Sequence, residues 1–345
     1  MHSFSVIIVS WNALDHLKTF IPSVTETDYP DFEIILADNA SSDGSAEWVS
    51  RQFPKVRIIR LEKNYGYCGG NNRAAKYADG EILVFLNNDV KVEPDWLHRA
   101  NETLQRHRGA AVVQPKMLSY EEPHFFEYAG AAGGYLDKHG FPFCKGRIFD
   151  HLEKDEGQYD FEQQLMWASG AAMFIRQEIF ARFDGFDEDF EFHMEEIDLC
   201  WRIWNRGYTV YSSPSSVVYH LGGGSLPMGS PRKTYYNYRN SLRMLWKNYT
   251  TSSLFTHLPI RIKLDFIAMV KHLLSGKIGL AAAIVRAYLH FLGGFRTTHR
   301  KRQICQQHRT IDHNPDKMLP ISIVWQYFIR GKKRFSDIVN EKADA

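Results

Sequence analysis

The run FSVIIVS at residues 4–10 decides how the rest of the chain is read. It is short, β-branched and almost continuously apolar, the composition of a strand buried on both faces. FEIILAD (32–38), VRIIRL (56–61) and EILVFLN (81–87) repeat the pattern. Helix-length segments lie between and after them at residues 13–24, 45–52 and 70–78. Asp43-Gly44 punctuates the second connection, and Pro94 suits the first turn of a following helix. Strand–helix–strand repetition predicts a mostly parallel α/β sheet with right-handed crossovers.

Ligands of open α/β sheets bind beyond the carboxyl ends of the strands. Those ends read Ser10-Trp11-Asn12, Asp38-Asn39, Asn64-Tyr65-Gly66 and Asn87-Asn88-Asp89. All are polar, a clustering that stability alone does not require. Residues 116–165 are less regular, rich in glycine and aromatics, and read as an excursion lining a cleft. Residues 171–176 and 208–212 read as further strands. Between them a helix is expected from about Glu195, with Ile197, Trp201 and Trp204 on one face. Residues 213–234 read as a mobile Gly/Ser/Pro-rich loop. Helices are expected at 235–247, 260–274 and 278–295.

At 345 residues, 44% hydrophobic and 24% charged, the chain has the composition of a globular protein with a sizeable core. Disordered and fibrous classes are excluded. Cys68, Cys144, Cys200 and Cys305 are far apart, without metal-like spacing, which points to a reducing compartment. The first residues lack a cationic leader, and no apolar run reaches the length of a membrane span. The net charge of +2 is unevenly spread. Residues 231–345 hold 21 Lys and Arg against 6 Asp and Glu, and residues 1–230 hold 21 against 34. A basic C-terminal helical extension (231–345) is thus expected on an acidic main domain (1–230), and such a tail seeks a polyanion.

Six blocks now carry a resemblance: SVIIVSWN (5–12), ADNASSDGS (37–45), NYGYCGGNNRA (64–74), LNNDV (86–90), MEEIDLCWRIWNRGY (194–208) and VYHLGGGS (218–225). In this order and spacing the chain resembles the family 2 glycosyltransferases of the GT-A fold, most closely a bacterial rhamnosyltransferase-like branch, over roughly residues 4–245. The resemblance implies an inverting transfer of sugar from a nucleoside-diphosphate donor to a saccharide or lipid-linked acceptor in cell-surface polysaccharide synthesis. A deoxysugar donor such as dTDP-rhamnose is implied by the branch alone. The implied location is cytoplasmic, peripheral on the inner face of the membrane.

The resemblance also implies roles for residues. Asp38 would accept a hydrogen bond from the nucleotide base, with Ser10 and Asn12 beside it; a loop-capping aspartate is the plainer reading. Gly70, Asn71 and Arg73 would open a helix toward the diphosphate, with Arg73 holding phosphate or a neighbouring acid. Asn87, Asn88 and Asp89 stand at the family's metal motif, where Mg²⁺ or Mn²⁺ bridges the diphosphate. Only Asp89 is a carboxylate, a departure from the family pattern. His220 would complete the metal shell. Glu196, within Glu195-Glu196-Ile197-Asp198, would be the base that deprotonates the acceptor, with Asp198 the alternative base or the group orienting Arg202. Trp167 and Glu195 would line the acceptor cleft, with a core position the equal alternative for Trp167. Gly222-Gly223-Gly224-Ser225 with Arg232 and Lys233 would close over the diphosphate.

Residues 278–295 carry one charge, Arg286, and suit a helix lying on an anionic membrane surface; a cap on the acidic body or a dimer contact would use the same residues. Other readings stay open: a non-catalytic nucleotide-sugar-binding scaffold, and a sugar-nucleotide nucleotidyltransferase. No G-x-G-x-x-G follows the first strand, which argues against a dinucleotide oxidoreductase, and no nucleic-acid-binding motif is present.

Overall fold

A computed structural model describes residues 1–128, 130–222 and 229–339. The α/β alternation opens with β1 (Phe4–Ser10), α1 (Leu14–Thr25), β2 (Phe32–Asp38), α2 (Ser45–Gln52), β3 (Arg57–Arg60), α3 (Gly66–Ala74), β4 (Ile82–Asn87), β5 (Val90–Val92), α4 (Trp96–Arg106) and β6 (Ala110–Ser119). Short strands follow: β7 (Gly134–Asp137), β8 (Pro142–Cys144), β9 (Arg147–Ile148), β10 (His151–Leu152) and β11 (Gln164–Leu165). Then come β12 (Ala172–Arg176), α5 (Gln177–Arg182), α6 (Glu195–Trp204) and β13 (Thr209–His220). The C-terminal part holds α7 (Pro231–Asn248), α8 (Thr251–Leu274), α9 (Ile278–Gly293), α10 (Phe295–Gln307), β14 (Met318–Leu319) and α11 (Phe335–Ile338).

The main sheet has nine strands in the order β11-β13-β6-β12-β4-β1-β2-β3, with β5 on β13. Pairings β1–β2, β1–β4, β2–β3 and β13–β6 are parallel, and β12 runs antiparallel between β4 and β6. The register brings the strand ends level: Ser10 faces Asp38, Asp38 faces Arg60, and Val9 faces Asn87. The polar strand ends of the sequence therefore converge on one edge, as the doubly covered parallel architecture demands. A second sheet, β10-β9-β8-β7-β14, is built largely from the irregular region 116–165.

Several elements differ from the sequence reading. Residues 213–220 are strand, not loop: β13 runs on to His220 by pairing Val217–His220 with Lys116–Ser119, after a register shift at Ser213/Val217. The helix after it begins at Pro231, with the Ser230 hydroxyl accepting from the Lys233 N–H. Gly223, Gly224 and Ser225 of the expected glycine loop lie outside the described residues. Pro94 precedes Asp95, the N-cap of α4, and so sits outside its first turn. Helix α8 starts nine residues before the expected 260, capped by Thr250, and Pro259 lies inside it.

Packing decides the rest. Helix α7 contributes Met244 and Leu245 to the same buried cluster as the sheet and α6. Trp167 is buried and donates its indole N–H to the Tyr135 carbonyl at 2.9 Å. Its ring fills the space over Gly134, so a Cβ there would fall inside the ring. Gly134→Ala should destabilise the protein by roughly 1–3 kcal/mol; a melting temperature within a degree of wild type would refute this packing account.

Candidate active site

The loops after β1 and β2 are stitched together by short polar side chains. Asp38 Oδ1 accepts from the Ser41 N–H at 2.9 Å. Asn12 Oδ1 accepts from the Ser42 N–H at 2.8 Å, and the Asn12 N–H donates to Ser41 Oγ at 3.0 Å. Asn12 adopts φ +48°, a left-handed conformation that asparagine tolerates. Ser10 Oγ accepts from Asn88 Nδ2 at 3.3 Å, which ties the first strand end to the fourth. Trp11, beside these groups, leaves 54% of its surface exposed, an aromatic face at the mouth of the crevice that the sequence reading passed over.

The glycine pair at 69–70 does not open a helix. Helix α3 begins at Gly66, and Gly70 lies in its second turn, where a Cβ would come within 2.8 Å of Val9 Cγ1. Its smallness lets α3 lie close on β1. Asn71 turns back to the Tyr67 carbonyl at 3.0 Å. Arg73 takes the second of its two expected roles: it meets Glu188 at 2.9 Å and lies 3.7 Å over the Tyr65 ring.

Asp89 and His220 meet at the end of β4, where β13 pairs with β5. Asp89 Oδ1 is 3.2 Å from His220 Nε2, and Glu127 Oε1 is 3.3 Å from His220 Nδ1 on the other side of the ring. Asn87 Nδ2 lies 3.5 Å from the same Nε2. Burial opposes charge on the imidazole, but hydrogen bonds and charge from the two carboxylates outweigh it and push the pKa up to about 10. Burial likewise opposes Asp89 ionisation, and the imidazole outweighs it, holding this carboxyl below its ordinary value.

This donor set fits a hard divalent cation once the imidazole gives up its Nε2 proton to it. Ligands at about 2.1 Å in an octahedral shell stand about 3 Å apart, the separation of Asp89 Oδ1 and His220 Nε2. Among the described residues no three His, Cys, Asp or Glu side chains converge on one point. Glu127, on the far ring nitrogen, is placed to orient the imidazole instead. Asp89 and His220 would be its protein ligands, and phosphate oxygens would have to supply the rest of the shell.

Across the cleft, α6 begins with Glu195 and Glu196. The chain enters it under strain: Glu191, His193 and Met194 have φ of +63°, +65° and +74°. Three non-glycine residues in that region mark a backbone held by its surroundings. Asn240 of α7 is the holder, donating to the carbonyls of Phe190, Phe192 and His193 at 2.7–2.9 Å. Tyr236 and Arg239 grip the Glu191 carboxylate at 2.8 and 3.0 Å. Glu195 Oε2 and Glu196 Oε2 are buried without a hydrogen-bond partner among the described residues. Burial raises both carboxyls. Glu195 also feels the charge of Glu196 and is pushed well above the ordinary range; Glu196 rises to about 7, against opposing backbone hydrogen bonds. Of the two, Glu196 lies in the range where a carboxyl exchanges its proton near neutral pH.

Asp198 is not placed to act as the base. It is fully buried and accepts from Arg202 Nε at 2.9 Å, Lys247 Nζ at 2.9 Å and Asn248 Nδ2 at 2.8 Å. It orients Arg202, which in turn donates to the carbonyls of Phe183 and Gly185. Trp167 is likewise corrected: a core side chain beneath Gly134 has no face to offer a sugar.

The sequence reading placed Lys233 over the diphosphate but missed Arg147. Arg147, at the start of β9, lies 3.8 Å over the Tyr128 ring, and Lys233 lies 5.4 Å from the same ring. Neither cation is ion-paired among the described residues, and Arg147 Nε is buried without a partner. Burial, then Arg147, lowers the Lys233 pKa. Glu127 and Glu196 both act on the Cys144 thiol near Arg147. Arg147 and Lys233 thus carry positive charge near Glu127 and Glu196 that no ion pair among the described residues neutralises. Arg232, one residue before Lys233, points the other way, 6.0 Å from the Tyr236 ring. Only the fold could show this: Arg147 reaches the site through the β8–β9 hairpin.

The family described as Glycosyl transferase family 2 matches residues 5–183. The chain is 30% identical over 240 residues to the O-antigen biosynthesis protein RfbC of Myxococcus xanthus, covering 67% of this chain but 18% of that protein. It is 25% identical over 234 residues to the N-acetylglucosaminyl-diphospho-decaprenol L-rhamnosyltransferase of Mycobacterium tuberculosis, covering 62% of this chain and 75% of that one. The chain thus spans under a fifth of the first relative and three quarters of the second. Among solved structures, GalNAc-T7 with UDP, GalNAc and Mn²⁺ superposes with a TM-score of 0.58 at 18% identity, covering 73% of this chain and 49% of that one. S. aureus TarS 1-349 with UDP-GlcNAc gives 0.56 at 16%, covering 88% and 90%. These likenesses establish the GT-A fold.

Proposed function

We infer, for a chain that belongs to glycosyl transferase family 2, that it moves a sugar from a nucleoside-diphosphate donor to a hydroxyl of a saccharide acceptor in cell-surface polysaccharide synthesis, with inversion at the anomeric carbon. One observation carries the reading: a carboxylate–imidazole pair, Asp89 and His220, is linked through Glu127 and the Cys144 thiol to a buried carboxyl, Glu196, whose pKa is raised to about 7.

Ser10, Asn12 and Asp38 would receive the base and ribose at the level ends of β1 and β2. Asp89 and His220 would hold Mg²⁺ or Mn²⁺. When bound, the cation supplies positive charge against the departing diphosphate. Arg147 and Lys233 present theirs from the other wall, fixed before reaction and so without reorganisation cost. Glu196 takes the acceptor proton as the hydroxyl attacks. The relatives support the substrate class. One is named for rhamnosyl transfer to a diphospho-decaprenol saccharide, and another is the dTDP-rhamnosyl transferase RfbF of Shigella flexneri. A dTDP-deoxysugar donor and a lipid-diphosphate-linked acceptor are the proposal for this chain.

Calorimetric titration of UDP, dTDP and GDP, with Mn²⁺, Mg²⁺ or EDTA, tests the donor site. One diphosphate should bind best with a divalent cation, and Asp89→Asn should weaken it about tenfold or more. Equal binding in EDTA would overturn the metal assignment. Arg147→Ala should lower kcat/KM by about 10²–10³, the cost of losing one preorganised donor to developing charge; kinetics equal to wild type would remove Arg147 from the site.

A further inference from the structure

We propose that the paired outer faces of α8 and α9 dock on an anionic lipid bilayer and lie flat in its interface. The proposal goes beyond sugar transfer and stands whether or not that reading holds.

The face is built from two apolar lines. At 100° per residue, Phe255, Ile262, Phe266 and Leu273 of α8 fall within about 20° of one direction. Ile278, Val285, Leu289 and Leu292 of α9 do the same within about 40°. All are substantially exposed, with Phe255 at 75% and Ile278 at 68%. Only Leu254, Arg261 and Asp265 of α8 are buried, so a helix about 36 Å long is covered on one side alone. Exposed apolar surface on this scale marks an interaction site.

Charge decides the occupant. Residues 251–311 contain ten Lys and Arg and a single acid, Asp265. That acid is spent internally, on Arg261 at 2.9 Å and the Tyr288 hydroxyl at 2.8 Å. Lys263, Lys271 and Lys277 are exposed around the apolar lines. An apolar stripe rimmed only by cations matches acyl chains beneath anionic headgroups. Trp325, exposed beside Phe328, whose ring lies 5.1 Å from Lys271 Nζ, extends the face with an aromatic suited to the same depth. Lying flat is the geometry the helices permit. Among the described residues no single helix is long and apolar enough to cross a membrane, and the one pair that is so in sum, α9 with α10, is bent by 67° at its break. Helix α10 is also anchored to the body, with Lys301 on Asp187 at 2.5 Å and Arg302 on the Trp246 carbonyl at 2.6 Å.

The face continues toward the cleft. A cavity of about 450 Å³ between α7 and α9 is lined by Arg232, Tyr235, Tyr236 and Arg286. Its Tyr236 hydroxyl holds Glu191, at the entry to α6. Docking would bring two guanidiniums to headgroup depth beside the catalytic helix.

Co-flotation of the full chain with vesicles tests the proposal. The protein should float with phosphatidylcholine vesicles containing about 30 mol% phosphatidylglycerol. Partition should fall about tenfold or more on pure phosphatidylcholine, or in about 0.5 M NaCl. Phe266→Glu combined with Val285→Glu should abolish flotation while leaving the melting temperature and nucleotide binding unchanged. Wild type that fails to float, floats equally on neutral vesicles, or retains flotation in the double variant would overturn the proposal. So would a dimer that the double variant splits, which would assign the face to a second copy of the chain.

Discussion

Glu196→Gln should lower the rate of sugar transfer by about 10²–10⁴, the contribution of a positioned general base, while donor binding changes little. With Glu196 as the proposed base, the wild-type rate should rise with pH through about 7, where its carboxyl ionises. The same substitution should stabilise the fold. The folded carboxyl titrates near 7 and the unfolded one near 4.5. Between those values folding takes up a proton, so wild-type stability declines as pH rises and the loss is complete above about 7. Glutamine does not titrate. Its advantage in melting temperature should therefore be larger at pH 8 than at pH 5. A variant that loses both activity and stability at pH 8 would mean that Glu196 is a structural residue.

Asp198→Ala should have the opposite signature. The carboxylate is the common acceptor of Arg202, Lys247 and Asn248, and Lys247 also meets Asp187 at 2.6 Å. Burial disfavours the Lys247 ammonium, and Asp198 and Asp187 together outweigh it. Removing one carboxylate leaves buried cations short of a partner, at a cost of about 3–5 kcal/mol. The melting temperature should fall by roughly 4–7 °C. Asp198→Asn, which keeps the shape, should lose stability but retain most of its turnover at low temperature. If Asp198→Asn instead lost turnover without melting earlier, the base would be Asp198.

Much of the fold was legible because it is local. The continuous apolar runs of β1 and β2 matched the strands residue for residue, and α2 matched its expected span. The polar strand ends pointed to the crevice, since parallel register carries them to one edge. What escaped depended on contacts distant in sequence. Residues 213–220 look like a loop, yet β6 supplies the ladder that extends them. Gly70 looks like a phosphate turn, yet its smallness serves Val9. Asp198 and Glu196 look interchangeable in the sequence; the fold gives one three buried donors and leaves an oxygen of the other unpaired. Arg147 carries no signal at all without the second sheet. The basic C-terminal residues divide in the same way. Arg239, Lys247 and Lys301 turn inward to the acids at 187–191, while Lys263, Lys271 and Lys277 face outward. The helices were readable from sequence, but this partition was not.

The account centres on metal-assisted sugar transfer with Glu196 as base, and one assay addresses all of it. Purified protein is incubated with UDP-, dTDP- and GDP-sugars, a membrane lipid extract, and Mn²⁺, Mg²⁺ or EDTA, and the released nucleoside diphosphate is measured beside Glu196→Gln and Asp89→Asn. The account predicts release from one donor class, dependent on a divalent cation and lost in both variants. Release that persists in EDTA and in Glu196→Gln would contradict it, as would saturable nucleotide binding with no turnover of any donor.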